Sequence, residues 1–187
     1  VIGRLAALPN TGDLGSSKVR STRVVTAAEG FEALAPAHGV HLALSLSDSI
    51  ARAERAAAGA DAAVVVVGNT WRDEGEYVFC YGGDRKTLRL PARHEQLIHA
   101  VARICPRTVA VLVGGSVFVC DSWLRHIPAV LMAWYAGAQG GPALAEVVLG
   151  EYAPGGRLPC TWPVREDQLP PFSRDATEFA YGPLHGY

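Results

Sequence analysis

The chain sets short β-branched runs against stretches with helical punctuation. Val64 to Val67 is a continuous valine run bounded by Ala60-Asp61 and Gly68, the pattern of a strand covered on both faces. Thr108 to Val113, ending in Gly114-Gly115-Ser116, and Ala129 to Ala133, leading into Trp134-Tyr135-Ala136-Gly137, repeat that pattern. Helices are expected between them. One runs from Ser49 to Ala58 and stops at Gly59, a second from Ala92 to Ile104 between Pro91 and Pro106, and a third from Pro142 to Leu149 before Gly150. Val1-Ile2 reads as the end of a further strand, followed by a polar turn region from Leu5 to Arg20. This alternation predicts an α/β fold, a three-layer sandwich with a mostly parallel sheet and helices on both faces. It also puts the loops after Val67, Val113 and Ala133 on one rim, at the carboxyl ends of strands where ligands gather.

A chain of 187 residues with 49% apolar content can bury one sizeable core. One domain is expected over residues 1–168, with an irregular tail rich in Pro, Phe and Tyr over 169–187. The 17 basic and 18 acidic residues leave no electrostatic footprint for nucleic acid or an anionic membrane, so neither is an expected partner. No apolar run approaches the roughly 20 residues of a membrane span, and no basic segment followed by an apolar stretch opens the chain. Compartment is left open. Cys80, Cys105, Cys120 and Cys160 are widely spaced, without a CxxC pair, and read as small apolar residues. The six histidines are scattered, so no metal site and no cofactor are expected.

The densest chemistry lies in the polar loop from Gly68 to Pro91, which holds Asp73, Glu74, Glu76, Asp84 and Arg85 just past a buried strand. The aromatics Trp71, Tyr77, Phe79 and Tyr81 are placed to wall a pocket, and a carboxyl desolvated by aromatic surface favours its neutral form, as a general acid requires. The residues alone leave this open against a solvated acidic loop with no role. Asp84 and Arg85 read as loop braces first, with contact to a ligand as the alternative. Asn10-Thr11-Gly12-Asp13 with Gly15-Ser16-Ser17 fits surface Asx turns or a polar ligand site. Trp134-Tyr135 fits core packing or a face for a sugar ring. Phosphate and acyl-transfer chemistry are disfavoured, since G-x-G-x-x-G, Walker and G-x-S-x-G patterns are all missing.

Several ordered segments together carry a more specific signal. NTGDLGSSKVR at Asn10 to Arg20, VVTAAEGFEAL at Val24 to Leu34, ADAAVVVVG at Ala60 to Gly68, DEGEY followed by GGDRKTLRLPARHEQLIHAV, IPAVLMAWYAGAQGG from Ile127 and APGGRLPCTWP from Ala153 resemble the C-terminal α/β sandwich domain of glycoside hydrolase family 3. The resemblance covers essentially the whole chain. It implies a retaining enzyme of the β-glucosidase or β-xylosidase type. In that family a separate N-terminal barrel supplies an Asp nucleophile and most sugar contacts, and the sandwich supplies a general acid/base Glu from a loop over the barrel mouth.

The family's Glu-Gly pattern with a downstream Asp-Arg falls best on Glu74-Gly75 and Asp84-Arg85, with Glu76 as the fallback acid/base. Trp71, Tyr77, Asp84 and Arg85 are then the candidate substrate-binding residues. The implied partners are a carbohydrate, a β-glucoside or related oligosaccharide, and a barrel domain in the same enzyme or in a partner chain. A homo-oligomer is a further expectation, because an uncovered aromatic rim favours self-association. Since a barrel takes roughly 250 residues, this chain by itself is expected to be inactive, and 169–187 to lead toward a further domain. The sequence departs from the family at Ala136-Gly137-Ala138-Gln139 (commonly Pro-Gly-Gln-Glu), at Ala153-Pro154-Gly155-Gly156 (Asn-Pro-Ser-Gly) and at Pro183-Leu184. The competing readings are a non-catalytic carbohydrate-binding or structural module derived from the same domain, and a flavodoxin-like small-molecule binder.

Overall fold

The structure is a computed structural model and describes residues 1–187 apart from 13, 77–82, 172, 174 and 184–187. Strands β1 (Ala63–Gly68), β2 (Thr108–Val113) and β3 (Ala129–Met132) form a parallel sheet in that order. Val65 lies opposite Ala110, and Ala110 opposite Val130. The β-branched runs mark all three strands to within a residue. Ile2 adds a further rung beyond β1, bridging Val65 on one side and Ser45 on the other. Its N–H donates to the Val64 carbonyl at 2.8 Å, and its own carbonyl accepts from the Val66 N–H at 2.8 Å.

Among the described residues five α-helices accompany the sheet: α1 (Ala27–Leu34), α2 (Ile50–Ala57), α3 (Trp71–Glu74), α4 (Ala92–Ile104) and α5 (Gly140–Leu149). Successive strand side chains point to opposite faces, and the two apolar clusters follow that alternation. Val65, Val67, Ala110 and Leu112 pack with Ala53 and Ala57 of α2 and Leu97, Ile98 and Val101 of α4. Val64, Val66 and Val111 pack on the other face with Phe31 of α1 and Leu144 and Ala145 of α5. Helices on both faces of a parallel sheet are the expected three-layer α/β sandwich.

Helix α5 starts at Gly140, two residues before the expected Pro142. A proline in the first turn costs little because those N–H groups have no intrahelical acceptor. Helix α1 has no counterpart among the expected helices. Thr26 caps it, with the Thr26 oxygen accepting from the Glu29 N–H at 3.3 Å and the Glu29 carboxylate accepting from the Thr26 N–H at 2.7 Å. Gly30 sits in its interior because a Cβ there would lie 2.3 Å from the Gly141 carbonyl oxygen of α5. That close crossing outweighs the roughly 1 kcal/mol propensity cost of a helical glycine.

Past Gly150 the only helical element among the described residues is the 3-10 turn Glu166–Gln168, and Tyr152, Leu158, Val164, Phe179 and Tyr181 are exposed. Val111 is fully buried in its cluster, so Val111→Ala is expected to lower unfolding free energy by about 1 to 3 kcal/mol, read as a lower denaturant midpoint at unchanged slope.

Candidate active site

Strand β1 ends at Gly68, and Asn69-Thr70 carry the chain into α3. Thr70 caps this single turn: its oxygen accepts from the Arg72 N–H at 3.3 Å. The Asp73 carboxylate takes the Thr70 N–H at 2.8 Å and the Thr70 hydroxyl at 2.9 Å. The expected open loop is therefore a capped helical turn at this point, and it delivers Glu74 to the sheet rim. The loops after β2 and β3 reach the same point.

The Glu74 side chain is 9% exposed and surrounded by donors. Oε1 accepts from the Tyr135 hydroxyl at 2.6 Å and from the Gly115 N–H. Oε2 accepts from Asn69 Nδ2 at 2.8 Å and faces Arg85 Nη1 at 3.4 Å. Among the described residues its immediate surroundings are hydrogen-bond donors, one of them cationic. The side chain does sit at the rim. It is also held there by an internal ion pair.

A cavity of about 470 Å³ opens at this place, lined by Glu74, Gly75, Asp84, Arg85, Leu88, Tyr135, Gly115, Ser116 and Ser17. Three of the sequence-predicted site residues, Glu74, Asp84 and Arg85, thus meet at one cavity. Arg85 donates to the Val117 carbonyl at 3.0 Å and the Thr87 carbonyl at 3.2 Å, and its guanidinium lies 4.6 Å over the Phe118 ring. Burial pulls that guanidinium below its ordinary range, against the pull of Glu74. Asp84 adopts a left-handed backbone with φ of 48° and donates its N–H to the Gly75 carbonyl at 3.0 Å. Both residues brace the loop.

The other predicted residues stand apart. Trp71 is half-buried, has the Arg72 guanidinium 5.0 Å over its ring and does not line the cavity. Glu76 is exposed and outside the lining. Tyr77, with Phe79, Cys80 and Tyr81, lies outside the described residues. Asn10 donates its side-chain amide to the Asn69 carbonyl at 2.8 Å, so the first loop braces the rim. Tyr135, Asn69 and the Gly115 N–H are the partners that sequence reasoning did not connect to Glu74. Their common signal is position: each follows a strand on the same edge of the sheet. Burial, reinforced by the Glu74 carboxylate, holds the Tyr135 phenol far above its ordinary range, so it stays a donor.

Beneath the rim, His94 of α4 is buried. Its Nδ1 accepts from the Gly68 N–H at 3.3 Å and its Nε2 faces Asp48 Oδ2 at 3.7 Å. Burial pushes the imidazole below its ordinary value, opposed by Asp48 and aided by Arg4. In the unfolded chain this group takes up its proton as the pH falls through about 6.5, whereas the folded chain resists. The unfolded state binds more protons in that window, so stability drops as the pH falls from 7 toward 5. His94→Gln, which keeps an acceptor, is expected to flatten the unfolding midpoint against pH there by up to the one-proton slope of about 1.4 kcal/mol per pH unit.

A further cavity of about 360 Å³ lies along β3 between Met132, Cys120 and Trp162, and none of the described predicted site residues lines it. Cys105, Cys120 and Cys160 are free thiols, and burial pushes that of Cys120 up to about 11.

All 187 residues match the family model described as the glycosyl hydrolase family 3 C-terminal domain. The chain belongs to this family. Among curated relatives, a beta-glucosidase from Bacteroides ovatus is 37% identical over 107 residues, 57% of this chain and 14% of that protein. An exo-alpha-(1->6)-L-arabinopyranosidase from Bifidobacterium longum is 31% identical over 200 residues, 100% of this chain and 26% of that protein. A solved beta-glucosidase of the same family from Bifidobacterium adolescentis superposes with a TM-score of 0.73 at 30% identity, covering 90% of this chain and 25% of that one. The Chaetomium thermophilum beta-glucosidase gives 0.83 at 24% identity, over 94% of this chain and 24% of that one, and shows the shared fold. This family 3 C-terminal domain therefore spans 14% to 26% of the length of these two curated relatives.

Proposed function

We propose that this domain serves a retaining β-glycosidase, of β-glucosidase type, by supplying its general acid/base from Glu74, while a barrel domain supplies the Asp nucleophile. The observation that carries the reading is the convergence of the loops after β1, β2 and β3 on one carboxyl beside an open cavity. Retaining hydrolysis needs two carboxyl groups about 5 Å apart. In the first half the nucleophile attacks the anomeric carbon while Glu74 gives its proton to the leaving oxygen. In the second, Glu74 takes a proton from the water that cleaves the glycosyl ester. The domain holds one of the two groups, so alone it does not turn over glycosides. The sugar is read by the two domains together, with Ser17, Ser116 and Asp84 as this domain's polar contacts at the cavity.

A second reading rests on the same geometry. Glu74 is a fully braced carboxylate, whereas Glu76 is exposed two residues on, so Glu76 would donate the proton and Glu74 would lock the three loops together. A non-catalytic module would use neither. With the domain joined to a family 3 barrel, the leading reading expects Glu74→Gln to slow hydrolysis of an alkyl β-glucoside by the 10²- to 10⁴-fold typical of a lost general acid and Glu76→Gln to leave it within about threefold. The reverse order assigns the acid to Glu76, and full activity in both variants leaves the module.

A further inference from the structure

We propose that Tyr135 is the positioning residue of the acid/base: its hydroxyl fixes Glu74 Oε1 at the cavity. This rests on the reading of Glu74 as the acid/base. Oε1 takes two donors, the Tyr135 hydroxyl at 2.6 Å and the Gly115 N–H. Oε2 has Asn69 at 2.8 Å and the Arg85 guanidinium at 3.4 Å. Both oxygens therefore carry two donors, and the backbone N–H of Gly115 together with the short bond from the Tyr135 hydroxyl makes Oε1 the anchored end of the carboxyl.

The surrounding backbone is arranged to put the phenol there. Trp134, just before it, has a φ of 54°, a left-handed conformation that is an outlier for a bulky side chain and persists only where its surroundings impose it. The Tyr135 ring runs past two glycines. A Cβ on Gly12 would lie 2.9 Å from its Cδ2 and one on Gly115 3.3 Å from its Cε2. Space-filling alone would be served by phenylalanine. The hydroxyl matters because it ends on the reacting carboxyl and, held far above its ordinary range by burial and by that carboxylate, cannot deprotonate in the working range.

The test is Tyr135→Phe in the domain joined to its barrel, with Glu74→Gln alongside. Removing a donor from the carboxylate makes it hold its proton more tightly. The expected result is a kcat about 10- to 100-fold lower on an alkyl β-glucoside, with KM within about twofold, and an alkaline limb of the pH–rate profile about one unit higher. A role confined to packing would move neither the limb nor kcat selectively. If Tyr135→Phe keeps both kcat and the limb while Glu74→Gln is inactive, the positioning role is overturned and the acid/base reading stands. If Glu74→Gln is itself active, the acid/base reading falls, and this proposal with it. Should Tyr135→Phe fail to melt cooperatively, Gly115→Ala takes its place, since its Cβ would press on both Tyr135 and Glu74 Oε1 at 3.3 Å. An alkaline limb moved upward then supports the proposal, and an unmoved limb overturns it.

Discussion

In the domain joined to a family 3 barrel, Glu74→Gln is expected to reduce kcat/KM on a glycoside with a poor leaving group by 10²- to 10⁴-fold, roughly 3 to 5 kcal/mol of lost transition-state stabilisation. The signature is its dependence on the leaving group. A dinitrophenyl glucoside needs little protonation, so its first step is expected to stay within about tenfold of the parent. The second step still requires a base to activate water, so the glycosyl-enzyme accumulates and a burst of phenol precedes slow turnover. A uniform loss across leaving groups, without a burst, would mean that Glu74 holds the loops and does not transfer protons. Stability supplies the control. Glutamine keeps one acceptor oxygen where the carboxylate has two, so whichever way its amide turns, an NH₂ faces donors: Tyr135 and Gly115, or Asn69 and Arg85. The variant should melt at a lower temperature yet cooperatively, and the rate comparison is made well below that transition.

How much of this is legible in the chain follows from the range of each interaction. The three strands are marked by their β-branched runs because a strand buried on both faces needs apolar residues at every position, and a run is a local signal. Helix α1 is marked by chemistry and not by periodicity: Thr26 and Glu29 form a capping box, while Gly30, kept for the crossing with α5, interrupts the helical reading. Thr70 and Asp73 likewise cap the turn that carries Glu74, inside what reads as a polar loop. That Glu74 lies on the rim follows from its place after β1. Its partners could not be read the same way, because Gly115 and Tyr135 are 41 and 61 residues away and meet it only through strand order and register. The aromatic neighbours of the acidic loop suggested a desolvated acid. Donors brought in from the other two loops add hydrogen bonds that this local picture does not contain.

Gly68→Ala is expected to be the most destabilising single substitution near the site, at about 4 kcal/mol, the upper end of ordinary effects. Gly68 closes β1 with a φ of 138°, where a side chain is strained, and an ideal Cβ there would stand 1.9 Å from the Val113 carbonyl oxygen. That oxygen belongs to the residue paired with Gly68 in the sheet and accepts the Asn69 N–H at 2.8 Å. The methyl group therefore cannot be relieved by turning a side chain. Either β2 moves away from β1, or the rim hydrogen bonds from Gly68 to His94 and from Asn69 to Val113 are lost. Gly155→Ala, where a Cβ meets nothing within 4 Å, is the matched control and should leave the denaturant midpoint unchanged. Because Asn69 holds Oε2 of Glu74, the loss should also reach the chemistry. Joined to a family 3 barrel, a Gly68→Ala protein that still folds in the cold is expected to lose activity beyond its unfolded fraction, and a variant with parental stability would show that β1 and β2 do not close tightly at the rim.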